Sequence, residues 1–249
     1  MQVFRGWMLV LAGTWGGPAL AQDVTVEELL RIQDDAGRGA SSQSTMTMTV
    51  KTDRFERALT MSVATHGAEK TLVRILAPAK EKGTATLKVD QNIWNYLPKV
   101  DRTIKVPASM MGGAWMGSHL SNDDLVRDAR YSDDFTCRFL QKPDGKAIQH
   151  WIIECVPKPG AAVVWGKVKI RVRAVDRLAD EITYHDEAGA LVRTMAFHEF
   201  GVLGGRKMAR RVRVIPADKP GEFTEMTYNE IAYDVALPPS TFTLQALKQ

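Results

Sequence analysis

From Thr45 to Tyr233, most of this 249-residue chain alternates apolar and polar residues with a period of two. A strand points successive side chains to opposite faces, so this pattern reads as half-buried β-structure. Met46, Met48 and Val50 alternate with Thr45, Thr47 and Thr49, and Leu59, Met61 and Val63 with Thr60 and Ser62. Strands are then expected over 71–76, 84–90, 93–97, 102–106, 135–140, 150–156, 165–175, 180–185, 191–200, 207–215 and 222–233. Turn residues such as Asp186-Glu187-Ala188-Gly189 and Gly204-Gly205 separate them, and few helical patterns intervene. A parallel sheet needs crossover helices. The expected sheet is therefore an antiparallel meander, long enough to curl into a barrel or half-barrel.

Two short helices interrupt the pattern. Thr25-Val26-Glu27-Glu28 is a capping box, followed by Val26, Leu29, Leu30 and Gln33 on one side and by Gly37 and Gly39. A second helix is expected from Asn122-Asp123-Asp124 to Asp128, where acids suit the positive end of the helix dipole. The same acids also read as a metal site, with capping as the plainer account.

The first residues bear on location. Arg5, an apolar run from Gly6 to Gly17, and Ala19-Leu20-Ala21 read as a secretory leader cleaved after Ala21. The run is too short to span a bilayer, which takes roughly 20 residues. The expected organisation is residues 1–21 as leader and residues 22–249 as one domain. Gln22 would start the mature chain, so it is not itself a lipoprotein, and the periplasm is the expected destination. Net charge is +4, and only Arg5 leaves with the leader. That mild balance does not point to nucleic acid. Two cysteines in an oxidising compartment suggest a bridge. Lys142-Pro143-Asp144-Gly145-Lys146 reads as the turn of a hairpin that sets Cys137 opposite Cys155. A register slip of one residue would separate them.

The strand Val168-Lys169-Ile170-Arg171-Val172-Arg173-Ala174 has one apolar and one basic face, and Arg211 and Arg213 repeat the basic pattern. This face reads either as a surface for anionic partners or as the ordinary solvated side of a sheet. After Pro107 the alternation stops. Met110, Met111, Trp115, Met116 and Leu120 stand among Gly112, Gly113 and Gly117. A glycine-hinged apolar loop reads as a flap over an apolar cavity or as a plug in one end of a barrel.

The stretches Ala79-Lys80-Glu81-Lys82-Gly83-Thr84-Ala85-Thr86-Leu87, Trp94-Asn95-Tyr96-Leu97-Pro98-Lys99, Trp115-Met116-Gly117-Ser118 and Asn122-Asp123-Asp124-Leu125 resemble the outer-membrane lipoprotein-sorting (LolA-like) family. Pro157-Lys158, 164–175, the 184–200 hairpin and Phe242-Thr243 extend the resemblance over the expected mature chain. It is strongest to the branch often encoded beside large membrane exporters, and the two cysteines are not part of the family pattern. The resemblance implies a mainly β fold: a curved, unclosed antiparallel half-barrel with short helices across its open side. It also implies an apolar cavity for the acyl chains of a lipid or lipoprotein. Trp94, Tyr96, Met110, Met111, Trp115, Met116 and Leu120 are the residues expected to line it.

Catalytic signatures such as G-x-S-x-G, H-E-x-x-H and a Walker loop are missing, and no cofactor or metal is expected. Fold alone does not exclude activity. Three functions remain: a monomeric acyl-chain carrier, a docking module for an inner-membrane exporter, and a cofactor-free enzyme. The first predicts a hollow apolar cavity. The second predicts a filled barrel with an exposed apolar or basic patch, and the third polar groups with perturbed pKa values inside a cavity.

Overall fold

The computed structural model describes residues 24–36, 39–126, 131–161 and 163–249. The expected leader and its cleavage point, Gly37 and Asp128 lie outside them. Each expected strand segment is a strand. In chain order they are β1 (Ser41–Lys51), β2 (Glu56–His66), β3 (Lys70–Ala77), β4 (Ala85–Val89), β5 (Asn92–Leu97), β6 (Arg102–Lys105) and β7 (Phe135–Gln141). The rest are β8 (His150–Pro157), β9 (Lys167–Arg173), β10 (Ala179–His185), β11 (Leu191–Leu203), β12 (Arg206–Pro216) and β13 (Phe223–Tyr233).

Consecutive strands pair antiparallel except β6 and β7, and β1 also pairs with β13 along almost its whole length. That pairing joins the two halves of the chain in the middle of one 13-stranded sheet. β6 and β7 are its outermost strands, so the sheet does not close. Alternation becomes burial as expected: Met46, Met48 and Val50 are buried while the intervening threonines are half exposed. In β9, Val168, Ile170 and Val172 are fully buried. The basic side of that strand is largely neutralised by its neighbours. Arg171 lies 2.7 Å from Asp180, Arg173 2.8 Å from Asp176, and Arg213 2.6 Å from Glu225.

Among the described residues, three α-helices lie outside the sheet. In α1 (Val26–Ala36), the Glu28 N–H donates to Thr25 Oγ1 at 3.1 Å, the expected cap. Leu29 and Leu30 pack on the inner face of β8–β10, and Gln33 ties the helix down by accepting from the Ala179 N–H and donating to the Arg177 carbonyl. The second expected helix is α2 (Asn122–Val126), and α3 (Tyr131–Asp134) was not foreseen. β9 starts at Lys167 rather than at Trp165. Trp165 instead lies in the turn before it. β7 and β8 place Cys137 opposite Cys155, with Cα atoms 4.1 Å apart and the sulfurs bonded.

The outer face of β3–β5 is covered by the last residues of the chain. Phe242 and Leu247 pack on Ala85, Leu87 and Tyr96, and the Arg74 guanidinium donates to the carbonyls of Leu247 and Ala246.

Candidate ligand-binding cavity

Side chains on the inner faces of β1–β3 and β10–β13 do not meet. They leave a cavity of about 450 Å³. Its roof is the end of α1, the loop residues Trp115 and Leu120, Leu125 of α2, and the Val163-Val164-Trp165 turn. Five methionines, Met46, Met61, Met195, Met208 and Met226, line the walls. Methionine is unbranched and polarizable, so such walls adapt to irregular apolar shapes. Val164 lines the cavity and is also 63% exposed, which places an opening at that turn.

The lining also includes Gln33, Asp34, Asp123 and Asp134, and a linked polar cluster around Arg193. The Arg193 guanidinium lies against the rings of Trp165 and Tyr184, 4.6 and 4.5 Å from their centroids, and the two rings touch each other with centroids 5.0 Å apart. It donates to both carboxylate oxygens of Asp124, at 2.7 and 2.6 Å. Asp124 also accepts from the N–H and hydroxyl of Ser121. Burial alone would raise the Asp124 pKa, but Arg193 and Ser121 outweigh it and hold the carboxyl below its ordinary value. Burial likewise works against the Arg193 charge, and Asp124 reverses the balance and raises its pKa. The Tyr131 and Tyr184 hydroxyls are 2.9 Å apart, and burial pushes Tyr131 well above the usual phenol range.

The loop between β6 and α2 is a compact, bonded unit. The Trp115 N–H donates to the Leu120 carbonyl at 2.7 Å, and Asn122 Nδ2 donates to the carbonyls of Met110 and Gly113. The His119 ring bridges Glu222 and Thr224, each 2.9 Å away. Arg57 donates to the Met116 carbonyl. Met116 and Gly117 adopt successive positive φ values, 48° and 63°, and a Cβ on residue 117 would stand 3.3 Å from Arg57. Glycine is the residue that tolerates this turn.

Of the seven expected lining residues, the structure brings Trp115 and Leu120 to the cavity. Trp115 is anchored there by its Nε1–H, which donates to Thr86 Oγ1 at 3.1 Å. Met116 packs on the same apolar cluster without lining the cavity. Met111 is half-buried and Met110 is exposed, and neither lines it. Trp94 and Tyr96 point to the outer face, beneath the C-terminal residues. Sequence reasoning missed the wall methionines, the Arg193–Asp124 pair and the tyrosines. Alternation put Met46 and Met61 on one face of their strands, but it does not say which face is hollow. Asp124 is engaged by Arg193, and among the described residues no group of three or more metal-ligating side chains comes together.

No curated protein matches the sequence. Solved structures that share the fold include the following three. A DUF1329 family protein from Desulfovibrio piger is 22% identical, with a TM-score of 0.78 over 89% of this chain and 97% of the other. A putative outer membrane lipoprotein-sorting protein domain from Vibrio parahaemolyticus is 19% identical, with a TM-score of 0.75 over 90% and 98%. A LolA superfamily protein from Nitrosomonas europaea is 22% identical, with a TM-score of 0.73 over 90% and 99%. A family model described as "Uncharacterized protein" matches residues 67–249, well over half of the chain. The chain belongs to that family, and its fold is the LolA-like one of the lipoprotein-sorting proteins.

Proposed function

We propose that the protein is a periplasmic carrier that holds the acyl chains of a lipid or lipoprotein in the methionine-lined cavity, for transfer towards the outer membrane. The observation that carries this reading is the hollow apolar space of about 450 Å³, within the range of ligand sites. Burying an acyl chain there supplies roughly 0.8 kcal/mol per CH₂. The similarity in fold to lipoprotein-sorting proteins supports it. In this reading the chain acts as a monomer of residues 22–249 after removal of the leader. The loop of Trp115 and Leu120, held to the sheet through Asp124 and Arg193, is the part that yields to the ligand.

The polar groups in the cavity argue against an enzyme. A general acid or base works best with a pKa near the working pH. Asp124 is held ionised, and Tyr131 and Tyr184 are held neutral, each shifted away from neutral pH. They satisfy one another instead of awaiting a proton. Asp34, Asp123 and Asp134 also line the cavity, and among the described residues no histidine, cysteine, serine or lysine lines it beside them.

Native mass spectrometry with lipid extraction tests the proposal. The purified protein is expected to carry lipid in stoichiometric amount. Val63→Trp combined with Met226→Trp fills the space from two walls and is expected to abolish loading while the protein stays folded. A lipid-free wild type that takes up no added lipid sinks the carrier reading and favours the exporter-docking module. Undiminished loading in the double variant moves the ligand out of this cavity.

A further inference from the structure

Antiparallel pairing places the turns at 52–55, 78–84 and 98–101 at one end of the sheet, and those at 67–69 and 90–91 at the other. The two ends differ in chemistry. Within β1–β6 and their turns, the exposed large apolar residues are Phe55, Leu76, Leu97, Val100 and Ile104. All sit at or near the first end, and Val100, at the tip of its turn, is 59% exposed. The other end exposes Glu69 and Asp90 instead.

The turns at 78–84 and 98–101 touch, since a Cβ on Gly83 would stand 3.5 Å from Pro98. Around their apolar tips Lys80, Lys82, Lys99 and Arg102 are exposed. The acids between them are engaged elsewhere. Glu81 lies 3.4 Å from Arg57. Asp101 is 2.9 Å from Lys248 and accepts from the Tyr96 hydroxyl. The turns at 78–84 and 98–101 therefore offer cations interspersed with projecting apolar side chains, while the neighbouring turn at 52–55 carries Asp53, 3.9 Å from Arg54, and is followed by the exposed Glu56.

We propose that this end of the sheet docks on an anionic lipid bilayer. Shallow immersion of Val100, Leu97 and Leu76 in the headgroup region would remove apolar area from water, while the four cations meet lipid phosphates. An acidic protein surface would answer the charges but leave the apolar tips without an apolar environment. Followed through the pairings from β1 by way of β13, β12, β11 and β10 to β9 and β8, the turn at 158–166, with the exposed cavity residue Val164, lies at the same end by strand direction. Docking thus brings the cavity opening to the side of the lipid. The proposal does not depend on what the cavity holds.

Co-sedimentation with vesicles tests it, comparing phosphatidylglycerol mixed into phosphatidylcholine with phosphatidylcholine alone. The wild type is expected to bind the anionic vesicles at low salt and to be released as salt screens the charges. Lys82→Glu with Lys99→Glu, and separately Val100→Asp, are each expected to weaken binding by about tenfold or more. Both changes lie on exposed turns, and uptake of a fluorescent fatty acid, measured in parallel, is expected to stay at the wild-type level. Equal binding to neutral vesicles, or undiminished binding by either variant, overturns the proposal. So does failure to bind any vesicle, which would assign this end to an acidic protein partner. A loss of fatty-acid uptake without a loss of vesicle binding would count against the carrier reading alone.

Discussion

The outer face of β3–β5 and the inner face of β1–β3 are finished in opposite ways. On the outer face, the chain's own Phe242 and Leu247 fill the space over Ala85, Leu87 and Tyr96. On the inner face, Met46, Met61, Val63 and Val73 look onto a cavity. Both faces are apolar and both belong to adjoining strands. One is satisfied within the folded chain, and the other exposes apolar walls to space that only a guest can fill with matching surface. The difference separates a structural core from a site without reference to any catalytic motif.

Three measurements can break or sharpen this contrast. The largest effect is expected at the Arg193–Asp124 pair on the hollow side. Asp124→Ala leaves Arg193, whose side chain is 9% exposed, as an unpaired buried cation. A loss of about 3–5 kcal/mol in urea unfolding is expected. A loss below ~1 kcal/mol, the level of an exposed pair, would mean that water reaches the pair and that this part of the cavity is wet.

The second comparison is between the faces themselves. Leu247 is fully buried on the filled side, and Leu247→Ala is expected to cost about 3 kcal/mol, since it loses contacts and opens a void. Met226 faces space that is already empty, so Met226→Ala is expected to cost about 1 kcal/mol, the transfer contribution alone. Equal costs would show that the cavity closes up in solution.

The smallest effect is the acid response. The folded-state pKa of Asp124 lies below its unfolded value. Its contribution is therefore full above the unfolded carboxylate value of about 4 and is lost as pH falls through the lower folded value. Wild type is expected to lose more stability than Asp124→Ala when unfolding is repeated at decreasing pH in that range. Parallel losses would show that other carboxylates account for the acid response.

The strands were legible because period-two alternation is a local property, readable residue by residue from Met46 to Tyr228. The Cys137–Cys155 pairing was legible for a related reason, since the two strands adjoin in sequence, although a register shift between Phe139 and Gln141 lies between the turn and the pair. The cavity was not. Asp124 and Arg193 are 69 residues apart in sequence, and nothing local couples an acid in a helix to a base in a strand. Trp94 and Tyr96 share a face by alternation, yet only the path of the C-terminal residues decides that this face is covered. The loop methionines drew notice because they break a pattern. The strand methionines that line the cavity keep the pattern and so resemble ordinary core.

An open sheet differs from a closed barrel in having two edges, each a row of backbone donors and acceptors on which another strand could grow. In this chain one edge is β6, only four residues long and carrying Arg102 and Lys105. The other is β7, joined covalently to β8 through Cys137 and Cys155. Brevity and charge leave little template at the first edge. At the second, the bond keeps β7 from peeling away to swap places with a strand of another molecule. The same bond ties the integrity of that edge to oxidation, so a reduced chain would be the one prone to strand-by-strand polymerisation.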